Sequence, residues 1–220
     1  MKPRCSNQRS HALTITEVLV SVGIVCVLAG IAFLAFHRQK VVHRVVHQNR
    51  SSDIQCVNNL KQISLAYRIW EGDNGDKLPM RVPAAKGGAM EPALRGNVAP
   101  IFQVMSNELS TPKVLLCPVD ASRVAAGNFS AGFDNSHVSY LVGLDADDAH
   151  PSTLLSGDSN LAMDGKPVKS GLMTITQDHS VTWTSDRHVN KGNLGFADGS
   201  VWQRADDKKL ETVEGRLAIP

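Results

Sequence analysis

The chain has 220 residues, with 23 Lys and Arg against 21 Asp and Glu, and 4 cysteines. That length allows one globular domain besides a membrane anchor. So even a charge balance gives no electrostatic ground for nucleic-acid binding, and none is expected.

Residues 1–12 read as a short basic leader, with Lys2, Arg4 and Arg9 and no acidic residue. Taking those three from 23 leaves 20 basic against 21 acidic side chains, a balance of −1. An ordinary secretory signal would need a small-residue cleavage site after its apolar core. Ala35-Phe36-His37-Arg38 is a poor one.

From Leu13 to Phe36 the chain holds 24 residues with one formal charge, Glu17. At about 1.5 Å per helical residue this reaches roughly 36 Å, enough for a hydrocarbon core of about 30 Å. The competing reading is a buried helix of a soluble protein. A carboxylate inside a membrane segment costs a few kcal/mol, so Glu17 calls for a positive partner. Basic residues also follow the span, at Arg38, Lys40, Arg44 and Arg50, so the positive-inside count does not orient it. Gly23 and Gly30 either let a neighbouring helix approach or are ordinary membrane-helix glycines.

No Pro interrupts the chain between Leu13 and Leu78, and no Gly stands between Gly30 and Gly72. Val42, Val46, Val57, Leu60, Ile63, Tyr67 and Trp70 fall mostly at spacings of three and four. The spacing predicts one helix from Leu13 to Trp70, 58 residues or about 87 Å, whose lower half enters a domain core. Gly72-Asp-Asn-Gly-Asp-Lys-Leu-Pro79 ends it, and the Gly- and Ala-rich stretch to Gly96 reads as an exposed connection. Beyond it the pattern predicts a helix over 101–109, a strand over 113–117 and a polar loop over 121–137. Strands are expected over 139–143, 153–155, 172–175 and 180–184, and a closing helix over 205–214. The clearest β signal is 192–203, where Asp198-Gly199 joins two short apolar runs as in a tight hairpin.

A basic leader ending in the small residue Ala12, then an apolar helix with Glu17 at its fifth position, resembles the class III signal of type IV prepilins and type II secretion pseudopilins. The resemblance implies cleavage between Ala12 and Leu13 by a prepilin peptidase, and methylation of the new Leu13 amine. Where that family usually has Gly and Phe, this chain has Ala12 and Leu13. The physics agrees: an ammonium at Leu13 would lie four residues from Glu17, on the same helix face, there or on a neighbouring subunit.

Further phrases extend the resemblance. They are Cys56-Val-Asn-Asn-Leu-Lys-Gln-Ile-Ser-Leu-Ala-Tyr-Arg-Ile-Trp-Glu-Gly, Leu116-Cys-Pro-Val-Asp120 and Leu155-Ser-Gly-Asp-Ser-Asn160, with His188 followed after nine residues by Asp198-Gly199. In this order they are similar to the H-X9-DG group of prepilin-like proteins. The resemblance implies an α+β, pilin-like fold, a long N-terminal membrane-spanning helix packed on a small C-terminal antiparallel β-sheet domain. It implies a leader over 1–12, a transmembrane half over 13–36, an extracytoplasmic half over 37–71 and a globular domain over 72–220. The expected role is a structural subunit of a type II secretion pseudopilus, single-pass in the bacterial inner membrane with its domain in the periplasm. The expected partners are other pseudopilins, the prepilin peptidase, an inner-membrane platform protein and a secretion ATPase. A type IV pilus subunit and a membrane-tethered binding module that never polymerises stay open as alternatives.

Two features stay open on the residues themselves. Asp186, His188 and Asp198 suit a divalent metal, or else Asp198-Gly199 is a turn and His188 hydrogen-bonds to hold the hairpin. Cys56 and Cys117, 61 positions apart, pair in an oxidising compartment or remain two buried thiols. Asp73-Asn-Gly-Asp76 and Asp145-Ala-Asp-Asp148 lack the alternation of an EF-hand loop and read as solvated turns. His179 and His188 with Asp178 and Asp186 are the one conceivable acid–base group, and no nucleophile-elbow, zinc-protease or phosphate-loop motif occurs. Neither an enzyme nor a cofactor or metal is expected.

Overall fold

A computed structural model describes residues 14–130, 132–188, 190–206, 210 and 214–220, and for 36–50 and 204 the backbone only. Helix α1 spans Ile15–Asp73. At its start Thr14-Ile-Thr-Glu17 closes on itself: the Thr14 amide and hydroxyl each donate to Glu17 Oε2 at 2.9 Å, and the Glu17 amide faces Thr14 Oγ1 at 3.4 Å. This reciprocal cap satisfies amides that the first turn leaves without partners.

The chain divides into two compact units, Met1–Gln48 and Asn49–Pro220. In the first, the 21 residues Ile15–Ala35 are long and apolar enough to cross a membrane, and none of them is buried. Leader residues 1–12, and with them Ala12, and also Leu13 with its cleavage and methylation, lie outside the described residues.

In the second unit Leu60, Ile63, Tyr67 and Trp70 of the expected stripe enter the core, joined by Cys56 and Ala66. Val57 is only half-buried, and the side chains of Val42 and Val46 lie outside the described residues. The stretch from Gly72 to Gly96 differs from the expected exposed connection. It winds through 3-10 turns at Pro79–Arg81 and Ala84–Lys86 and a short helix α2, Met90–Ala93, and buries Leu78, Met80, Val82, Ala89 and Ala93. Small residues let these turns lie close to the core, so their Gly and Ala content signals packing here. The helix expected over 101–109 is two, α3 (Ala99–Val104) and α4 (Ser106–Leu109), interrupted at Met105. Nor does 113–117 form a strand. Pro112 starts a 3-10 turn, Pro112–Leu115, capped by Thr111 Oγ1, which accepts from the Lys113 amide. The loop at 121–137 ends in a further 3-10 turn, Asn135–His137, capped by Asp134.

Among the described residues nine strands follow: β1 Tyr140–Gly143, β2 Leu154–Asp158, β3 Leu161–Met163, β4 Lys166–Pro167, β5 Gly171–Ile175, β6 Val181–Trp183, β7 Gly192–Phe196, β8 Val201–Ala205 and β9 Gly215–Ile219. They form a six-stranded sheet of order β5-β9-β1-β2-β7-β8 and a three-stranded sheet of order β4-β3-β6, with antiparallel pairing throughout. The protein is therefore α+β, with one long apolar N-terminal helix and an antiparallel β domain. Strands β3, β4 and β9 stand where no strand was expected. The helix expected over 205–214 does not start at Ala205, which belongs to β8, while 207–209 and 211–213 lie outside the described residues.

Both faces of the large sheet are covered. Tyr140, Val142, Leu155 and Ala218 pack with the α1 stripe and the helical turns. Leu141, Leu194, Phe196, Leu217 and Ile219 pack with Leu161, Val181 and Trp183 of the small sheet. The period-two alternation of a strand sends neighbouring residues into these two cores. Gly192 opens β7 because a Cβ there would stand 2.2 Å from the Trp183 ring.

Candidate functional site

A buried polar cluster draws its residues from four stretches of chain. Asp53, Cys56 and Asn59 project from α1. Cys117 and Asp120 follow the 3-10 turn at Pro112–Leu115, Asp158 ends β2 with Ser159 just after it, and Arg187 and His188 sit in the turn that precedes β7.

His188 is the centre. Its Nδ1 lies 2.7 Å from Asp53 Oδ1 and its Nε2 lies 3.4 Å from Asp158 Oδ2 and 3.3 Å from Cys117 Sγ. Its backbone has φ of +49°, the left-handed region that a side chain enters at a cost of about 1 kcal/mol or more. The surrounding carboxylates hold the ring in that position. Asn193, in β7, donates its backbone amide and its Nδ2 to Asp158 Oδ2 at 2.7 and 2.8 Å. Asp158 Oδ1 is buried and has no hydrogen-bond partner among the described residues. Burial raises the Asp158 carboxyl above its ordinary pKa, against the opposing pull of the His188 ring and the Asn193 amide.

The disulfide lies against this histidine. Cys56 and Cys117 are joined, with Cα atoms 5.3 Å apart, both fully buried. It fastens α1 to the segment after the 3-10 turn, and Asn59 Nδ2 strengthens the same junction by donating to Leu116 O at 2.9 Å. Of the described cysteines Cys26 alone is free, in the apolar part of α1.

Arg187 forms the second half of the cluster. Its guanidinium lies 2.9 Å from Asp120 Oδ2 and donates to Ser139 O at 2.8 Å and Ser159 Oγ at 3.2 Å. Burial alone would raise Asp120. Hydrogen bonds from Ser122 and Ser139 and the charge of Arg187 together hold it below the usual carboxylate range. A cavity of about 520 Å³ opens beside it, lined by Arg123, Asn160, Thr184, Asp186 and Arg187 among others. Arg123 also turns inward: it pairs with Asp120 and donates to Asn135 O and Pro220 O.

Asp198 and Gly199 are placed elsewhere. They form the β7–β8 turn, where Gly199 has φ of +82° and Asp198 Oδ1 accepts from the Ser200 amide at 2.8 Å. That side of the molecule is exposed, and the Ser200 hydroxyl and amide lower the Asp198 pKa. Asp186 is exposed too and accepts from Thr184 Oγ1 at 3.1 Å. His188 thus meets Asp53 and Asp158 in place of Asp186 and Asp198. His179 pairs at the surface with Asp164, 2.8 Å away, apart from His188. Asp145, Asp147 and Asp148 each face an arginine, namely Arg216, Arg81 and Arg68.

Asp53, Asp158, Arg187 and Asn193 were not singled out from sequence. Asp53 had a signal: it continues the buried stripe one turn above Cys56, at a position where an apolar residue is the rule. Asp120 and Asp158 stand in phrases already marked as motifs, and the fold brings those phrases together around His188 and Arg187.

No family model, curated protein or solved structure matches the chain. The site and the fold therefore rest on their own chemistry.

Proposed function

We propose that the chain is a pilin-like structural subunit of a type II secretion pseudopilus. The observation that carries the reading is the exposed apolar segment Ile15–Ala35 with a single carboxylate, Glu17, in its first turn. An unpaired carboxylate in lipid is costly, and an ammonium at a processed Leu13 is the nearest chemical remedy. In this reading a prepilin peptidase cuts after Ala12. The subunit waits in the inner membrane with its domain in the periplasm. A platform protein and a cytoplasmic ATPase then draw it into a filament of packed α1 helices. Glu17 of one copy meets the Leu13 amine of the next, which sets the axial register. The buried cluster around His188 keeps the domain fastened to α1 while the helix is pulled, so its role is mechanical.

Glu17→Ala tests this. Membrane insertion and domain folding should match the parent, while stem-to-stem crosslinking falls to background. Intact-mass analysis of membrane-purified protein should find a chain starting at Leu13 with a methylated amine. Glu17→Ala subunits that crosslink as well as the parent would overturn the register role and favour a tethered module. A retained Met1–Ala12 leader in cells that process other prepilins would overturn the processing.

A further inference from the structure

The disulfide and the histidine against it hold more than a cross-link. We propose that in the dithiol state Cys56, Cys117 and His188 form a binding site for a thiophilic divalent cation of the zinc class. This proposal does not rest on the pseudopilus reading.

Four observations carry it. First, the donor atoms of these three residues all lie within 4.8 Å of one another, and all three residues are buried. Two sulfurs and one imidazole are the donor set that zinc selects. Second, Cys117 Sγ stands 3.3 Å from His188 Nε2. Ligands bonded at about 2.0 to 2.3 Å to one tetrahedral ion are spaced by a little more than that, so small side-chain rotations suffice. Third, Asp53 Oδ1 sits 2.7 Å from His188 Nδ1. That is the outer carboxylate which fixes the tautomer of a metal-binding histidine and leaves Nε2 as the donor. Fourth, Asp158 Oδ2 lies 3.4 Å from the same Nε2, a second carboxylate beside the donor nitrogen. Its other oxygen is buried and has no hydrogen-bond partner among the described residues.

The Cα atoms of the two cysteines, 5.3 Å apart, suit a disulfide, and they also suit two thiolates on one ion. The two states exclude each other. Each chain is synthesised with thiols, so the site exists before oxidation. Binding breaks two S–H bonds, forms two metal–sulfur bonds and one bond from the metal to His188 Nε2, and releases two protons to solvent. The cation would join α1 to the Cys117 segment and to the turn before β7, where the disulfide joins only the first two.

The test uses the full chain in detergent, prepared under a phosphine reductant and titrated with Co²⁺. The expected result is one Co²⁺ per chain, with a near-ultraviolet thiolate-to-cobalt band and the visible bands of tetrahedral cobalt. Added Zn²⁺ should bleach both, and the oxidised chain should show neither. Asp53→Asn should weaken binding about 10- to 100-fold through the outer contact alone. X-ray absorption of the zinc-loaded parent should find two sulfurs at about 2.3 Å and nitrogen or oxygen at about 2.0 Å. That measurement needs no variant, so it decides the matter even if His188→Gln fails to fold. A reduced, folded chain without the cobalt bands would overturn the proposal. So would a sulfur-free shell, or undiminished affinity in a folded His188→Gln protein.

Discussion

Helix α1 carries two opposite solutions to the same backbone. Over Ile15–Ala35 every side chain is exposed and nearly all are apolar, whereas between Ser51 and Asp73 half the helix is hidden and polar groups are among what it hides. The upper segment has surface that water does not favour and a single carboxylate capped by its own first turn. The lower segment buries Asp53, Asn59, Ser64 and Glu71 beside Leu60, Ile63 and Tyr67. Apolar content alone does not tell where a helix is buried. The placement of polar groups does where they meet partners on other elements, as Asp53 meets His188 and Asn59 meets Leu116.

Truncations should expose the contrast most strongly. Ile63→Ala removes a fully buried side chain from the α1 stripe and should cost about 2–5 kcal/mol in chemical denaturation. Ile24→Ala in the exposed segment should leave that midpoint unmoved. Equal losses from both would mean that the upper segment is packed in the isolated protein. Next in size, Cys117→Ser should cost about 2–4 kcal/mol by releasing a loop of 61 positions. The same loss should appear in the parent under reductant without metal.

The smallest effect is a pH dependence from two carboxylates of the buried cluster around His188 and Arg187. Asp120 titrates in the folded domain below an unfolded carboxyl. Its contribution is therefore complete above the unfolded value of about 3.9 and is lost as pH falls toward the folded one. Asp158, raised by burial, acts in the opposite sense and becomes less costly as pH falls through its folded value. Asp120→Asn should flatten the acid limb of a stability–pH curve, and Asp158→Asn should steepen it. Parallel curves for both variants would show that neither carboxylate differs from its unfolded form.

The long helix, the stripe and the β7–β8 hairpin were legible because each has a strong periodic or turn signal: no Pro, spacings of three and four, and Asp198-Gly199. The strand Gly215–Ile219 was not, since Gly-Arg-Leu-Ala-Ile is short and is buried only by partners far away in sequence. The 3-10 turn at Pro112–Leu115 has the sequence of a strand, because Val114, Leu115 and Leu116 form an apolar run, which periodicity cannot assign. His188 was visible as a residue, but its partners were not. Asp53, Cys117 and Asp158 lie 135, 71 and 30 positions away, and only the folded sheet brings them to it.

Strand β9 sits inside the large sheet, hydrogen-bonded to β5 on one side and β1 on the other. As the chain emerges, then, β1, β2, β7 and β8 can associate while β5 still waits for a neighbour that has not yet appeared. Until Gly215–Ile219 emerges, β1 offers an open edge to any extended chain nearby. Closing the sheet is a late, long-range event. Its rate should follow the slow regime of folds dominated by distant pairings, which leaves an interval in which the Cys56 and Cys117 thiols are made but not yet brought together.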